Sequence, residues 1–141
     1  MPETLDSEHY SELSYYTLAH VNKDFIHQHF VDVYTAQKAD AYTKPIGITF
    51  ALVGLYLFVE KGYTGRQVQQ VHMQMAKNKR AWPAFTLPEK RGEITIVNVL
   101  QTPAGKSRDE MIKKWCETVW GAYCVNRAIV KDLLQTYLPN I

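Results

Sequence analysis

The sequence predicts an all-α fold: a bundle of four to five helices with a short connector helix and a Pro-rich, lid-like loop. Three observations lead there. The stretch 24–37, DFIHQHFVDVYTAQ, repeats apolar residues at helical spacing; the run from Ile46 to Val59 is apolar on nearly every side; and Ser/Thr-x-x-Glu/Gln boxes at Thr64 and Ser107 announce two further helices. A chain of 141 residues forms one domain by size and buries about two-thirds of its unfolded surface, so it needs no disulfide or metal staple.

The elements follow in order. Asp6 or Ser7 caps a short amphipathic helix running to His20, with acidic residues in its first turn and Leu13, Tyr16 and His20 on one stripe. Val21 to Lys23 breaks it, and Asp24 caps the next helix, where Ile26, Phe30, Val33, Tyr34 and Gln37 share a face. A tight break brings His20 towards Asp24 and His27. After a loop at 39–43, Pro45 opens a helix that Gly62 ends. Its apolar stretch of fourteen residues is shorter than the roughly 20 needed to cross a bilayer, so it is the buried central helix, with Gly47 and Gly54 admitting close neighbours. Glu60 ends this helix towards solvent.

Thr64 and Gln67 form a capping box for a helix whose apolar face carries Val68, Val71, His72 and Met75 to about Lys79. Residues 81–92 are the Pro-punctuated connector, with Trp82, Phe85 and Leu87 folding back over the bundle. Residues 94–100 suit a strand by their β-branched content, but a lone strand has no partner here, so Thr95 is read as the cap of a short helix. From the Ser107-x-x-Glu110 box a single final helix is expected from about Arg108 to Tyr137, with Trp115, Val119, Ala122, Asn126, Ile129 and Leu133 as its seam and Trp120, Tyr123 and Val130 widening it.

The chemistry concentrates in 24–37. His27 and His29 are two apart, which turns them roughly 200° from each other on a helix, so they do not chelate one ion together. Asp32 is reachable by Gln28 (i, i+4) and His29 (i, i+3), and Gln37, set in the apolar stripe, requires partners for both ends of its amide. His72 is the one histidine that could close a site from across the bundle. Trp115 and Trp120 carry polar tips that need partners, and Glu117 projects to one side of the final helix, into a cleft or against Lys113 and Lys114.

The order His27-Gln28, Asp32, Tyr34, Gln37 resembles the central motif of a bacterial family of small helical proteins catalogued as a domain of unknown function, number five-nine-four-six. Gly92, Thr95, Val99 and Leu100, then Trp115, Glu117, Val119, Trp120, Ala122 and Tyr123, fall where that family carries G-x-x-T-x-x-x-V-L and W-x-E-x-V-W-x-A plus an aromatic. The likeness covers roughly residues 20 to 135. It implies a common fold and no activity. Many relatives begin with a C-P-x-C-G-like metal knuckle that this chain lacks.

Composition narrows the function. A net charge of +2 argues against a nucleic-acid footprint, and the one local basic cluster, Lys77, Lys79, Arg80, Lys90 and Arg91, reads as a solvated helix end. Two cysteines eight apart on one helix, Cys116 and Cys124, lie about 12 Å apart along its axis and cannot pair within it; with an acidic, polar start in place of a signal peptide they predict a cytoplasmic protein. No phosphate loop, H-E-x-x-H or G-x-S-x-G occurs. Three functions fit. The first is a non-catalytic binding module with an aromatic-lined polar pocket for a small molecule, its polar network drawn from Gln28, Asp32, Gln37, Trp115 and Trp120. The second is a hydrolase or transferase dependent on a divalent metal held by His20, His27 or His29, and His72, with Asp32 orienting a histidine and Tyr34 or Glu117 as acid/base; this is similar to DinB-like bundles, although the chain has no two histidines four apart. The third is a structural subunit of an assembly. A homodimer through a leftover apolar face is expected of a bundle this apolar.

Overall fold

The computed structural model describes residues 2–19, 26–77 and 81–138, and within them the protein is helical with no strand. Seven α-helices are present there: α1 (Pro2–Ala19), α2 (Ile26–Lys38), α3 (Pro45–Lys61), α4 (Gly65–Lys77), α5 (Ile96–Gln101), α6 (Lys106–Ala122) and α7 (Arg127–Tyr137), the last two joined by a 3₁₀ turn at Cys124–Asn126. No described helix is long and apolar enough to cross a membrane.

The central helix is α3. Pro45 sits in its first turn, and Gly62 ends it in the left-handed conformation at φ 69°, with the amides of Gly62 and Tyr63 returning to Phe58 and Leu57. Buried residues occur on every side of it from Ile48 to Leu57, because α2, α4, α6 and α7 all pack on it. The core runs from Leu13 of α1 through Phe30 and Val33 of α2 and Leu52 of α3 to Trp115 and Val119 of α6, each such side chain contributing about 1.5–3 kcal/mol by leaving water. Gly54 is where α2 comes closest: a Cβ there would overlap the carboxylate of Asp32.

Several boundaries differ from expectation. Helix α1 starts at Pro2, before Asp6, and Asp6 instead pairs with Lys38 at the end of α2, 3.1 Å away. The Thr64 box forms as expected, the Thr64 amide donating to Gln67 Oε1 at 2.8 Å and the Gln67 amide to Thr64 Oγ1 at 3.2 Å. The Ser107 box does not form. Helix α6 begins two residues earlier, after Gly105 at φ 102°, where the Tyr16 hydroxyl from α1 accepts the Gly105 amide (2.9 Å) and donates to Asp109 (2.7 Å). A tertiary contact thus does the work assigned to Ser107.

The expected single final helix is two helices. Asn126 is fully buried and pairs with the backbone of Thr86 in both directions, accepting the Thr86 amide at 2.7 Å and donating to its carbonyl at 2.8 Å. Its own amide meanwhile bonds to Tyr123 at 2.8 Å, tightening the chain into a 3₁₀ turn. The break shifts the seam, so Val130, Leu133, Leu134 and Tyr137 are buried and Ile129 is exposed. Residues 96–101 are a helix, with Thr95 and Asn98 forming the capping box. The connector 81–95 folds back as expected, with Trp82, Phe85 and Leu87 packed partly against the core. The expected cap Asp24, the break at 21–23 and Lys79 and Arg80 of the basic cluster lie outside the described residues.

Candidate functional site: a cleft floored by His29

Helix α2 buries two stripes. Ile26, Phe30 and Val33 form the one expected from periodicity, and His29, Asp32 and Ala36 form a second, turned towards α3 and α6. His29 is only 2 % exposed, and its ring stacks on Phe58 of α3 with centroids 3.6 Å apart. Burial lowers its pKa to about 4, so the imidazole is neutral at ordinary pH. Its Nε2 is buried with no hydrogen-bond partner. Beside it opens a cleft of about 650 Å³. One wall is apolar, made by Ile26, Phe58, Val59 and Gly62; the other is the charged face of α6, with Lys106, Asp109, Glu110, Lys113 and Glu117. Their spacing of three, four, seven and eleven from Lys106 is one helical face.

Asp32 lies one turn further in. Gln28 Nε2 donates to its Oδ1 at 3.1 Å, whereas Oδ2 is buried without a partner against Gly54. Burial pushes this carboxyl well above the usual carboxylate range, and the Gln28 bond only partly offsets that. His29 and Asp32 leave these neighbouring atoms unpaired, so Asp32 does not orient His29 as the metal reading required. Cys116 packs behind α2: its thiol donates to the His29 carbonyl at 3.8 Å, and burial raises its pKa well above the ordinary thiol value, which makes it a packing residue.

The remaining candidates disperse. His27 faces away from His29, its Nδ1 2.8 Å from Thr17 Oγ1 on α1. His72 donates from Nε2 to the Phe50 carbonyl at 2.8 Å and stacks on that ring. Phe50 and Phe58 are eight residues apart on α3, about 12 Å along its axis, so His72 and His29 occupy different levels of the bundle. His20 lies outside the described residues. Among the described residues no group of three His, Cys, Asp or Glu side chains is arranged to hold a metal ion. Tyr34 packs edge-on against Tyr10 of α1 and near Phe30, on the side of α2 facing α1, whereas Glu117 lines the cleft.

The expected polar network is three separate clusters. Gln28 with Asp32 is one. Gln37 accepts from Trp115 Nε1 at 2.9 Å and donates to the carbonyls of Ile94 (2.8 Å) and Arg91 (3.3 Å). Trp120 Nε1 donates to Glu60 at 2.8 Å, and Arg127 grips the same carboxylate with two nitrogens, so Glu60, exposed near the end of α3 as expected, is also a junction of α3, α6 and α7. That grip holds the Glu60 carboxyl below its ordinary pKa.

Two residues were missed from sequence. Arg91, placed in a solvated basic cluster, turns inward: its guanidinium donates to the carbonyls of Ala36, Gln37 and Ala39, closing the C-terminus of α2, and to Pro88 at 2.8 Å. Phe58, the platform under His29, was hidden in an apolar run. The α6 wall did leave a signal, five charged residues on one helical face, which the apolar seam beside it overshadowed.

A family model described as a family of unknown function, DUF5946, matches residues 7–124. No curated protein and no solved structure matches the chain.

Proposed function

The chain belongs to the family of unknown function DUF5946, and we propose from the geometry of its own residues that it is a non-catalytic binding protein that holds a small molecule in the His29 cleft. The observation that carries this reading is the unpaired Nε2 of a buried, neutral imidazole bordering a cavity of about 650 Å³, within the size range of small-molecule sites. An unmet buried donor or acceptor costs about 1–3 kcal/mol, a cost that a ligand atom reaching the ring from the cleft would remove. Support for a binding over a catalytic role comes from the neighbours: the nearest thiol has its pKa raised by burial, and Tyr34 faces α1.

The test is a fragment screen read by nitrogen-15 resonances of the imidazoles. A ligand in the cleft moves the His29 resonances and leaves those of His72, locked on Phe50, in place. A library that binds nowhere near His29, with the fold intact, would sink the proposal.

A further inference from the structure

We infer that the cleft takes a small organic cation, a primary ammonium group joined to a flat apolar body, with the ammonium between His29 and Glu117. This deepens the binding reading above and rests on it. The flat body is set by the apolar wall, where Phe58, backed by the parallel ring of His29, lies beside Ile26 and Val59.

The charge comes from the opposite wall. It holds three carboxylates, Asp109, Glu110 and Glu117, to two ammonium groups, Lys106 and Lys113. On a helix, opposite charges three or four apart are neighbours. Lys106 thereby has Asp109 and Glu110 beside it, and Lys113 has Asp109, Glu110 and Glu117. Asp109 also accepts the Tyr16 hydroxyl at 2.7 Å. An anion entering the cleft would meet lysines already flanked by carboxylates; a cation would meet the carboxylate left over.

Glu117 is the last carboxylate of that wall, with Lys113 and Lys114 four and three residues before it. It closes the charged row, its neighbour Cys116 donates to the backbone carbonyl of His29, and Glu117 and His29 line the same cleft. A neutral imidazole carries a lone pair on one nitrogen, and a primary ammonium has three N–H donors to share between it and a carboxylate.

The experiment is isothermal titration calorimetry of the full chain at pH 7 with phenethylamine and, as its anionic counterpart, hydrocinnamate, repeated on Glu117→Gln and Lys113→Gln. Phenethylamine is expected to bind, to weaken roughly tenfold or more in Glu117→Gln and to bind at least as tightly in Lys113→Gln, which removes a competing positive charge, while hydrocinnamate gives no heat. Hydrocinnamate binding as tightly as the amine, or amine affinity indifferent to Glu117→Gln, overturns the assignment. So does silence from both probes. If fragments of the screen above still move His29 in that case, only the charge assignment falls; if none does, the cleft reading falls with it.

Discussion

In the C-terminal half of α2, Gln37 uses both ends of its amide on Trp115 and on the connector, and Arg91 covers the last carbonyls of the helix. In the N-terminal half, His29 and Asp32 are buried at least as deeply, and each leaves one polar atom without a partner. One helix thus handles the same physical problem in two ways. Where polar atoms are paired they fasten α2 to the connector and α6, and their loss leaves orphans behind. Where an atom is unpaired, its removal breaks no hydrogen bond of its own, and at His29 the unpaired atom lies on a residue that lines a cleft.

The sharpest break is at the crossing between the two halves. Gly54→Ala puts a methyl group into the Asp32 carboxylate and is expected to cost about 3 kcal/mol or more by guanidinium unfolding. Adding Asp32→Ala should recover part of that loss, because the two residues share one space. Next, Gln37→Leu is expected to cost about 2 kcal/mol, since it strands the Trp115 indole N–H, whereas His29→Phe should change stability by less than about 1 kcal/mol at pH 7. Equal losses from the two would erase the distinction between the halves.

Acid sharpens the comparison. The His29 pKa is near 4 in the fold and about 6.5 when unfolded, so the unfolded chain binds the extra proton between those values. Its contribution is complete above pH 6.5 and is lost as the pH falls towards 4. Asp32 works in the opposite direction, its raised pKa favouring the fold at low pH and costing stability as the pH rises above 3.8. The difference between wild type and His29→Phe isolates the histidine: between pH 7 and pH 4.5 the variant should gain about 2–3 kcal/mol on wild type, measured by unfolding at each pH. The smallest effect belongs to the cleft rim. Glu117→Gln, an exposed change, should leave stability within about 0.5 kcal/mol in the same assay.

The helices were legible because burial here is periodic. Pro45 and Gly62 framed α3, the Thr64 box opened α4, and Thr95 opened α5. Motif residues that marked the family resemblance, Gln37, Trp115 and Trp120 among them, turned out to be polar groups that tie helices together. What stayed hidden depends on contacts between distant residues. Asn126 breaks the last helix because Thr86 offers it a backbone partner 40 residues away, which no local pattern records. Tyr16 caps α6 and Arg91 caps α2 for the same reason. The cleft was half legible: His29 and Glu117 were singled out, but their pairing with Phe58 and the α6 row depended on how α3 and α6 cross.

The connector 81–95 has no regular secondary structure, yet it is tied down along its length. Asn126 clasps Thr86 on both sides of its peptide, Arg91 reaches back to Pro88, and Gln37 holds the carbonyls of Arg91 and Ile94. A protease cuts by drawing backbone out into an extended form that fits its groove, which is why irregular surface segments are usually nicked first. Drawing this one out would tear those amide pairs apart and pull the Arg91 side chain from the end of α2. Lys90 and Arg91 therefore offer trypsin a poor target, and digestion of the native protein should begin elsewhere.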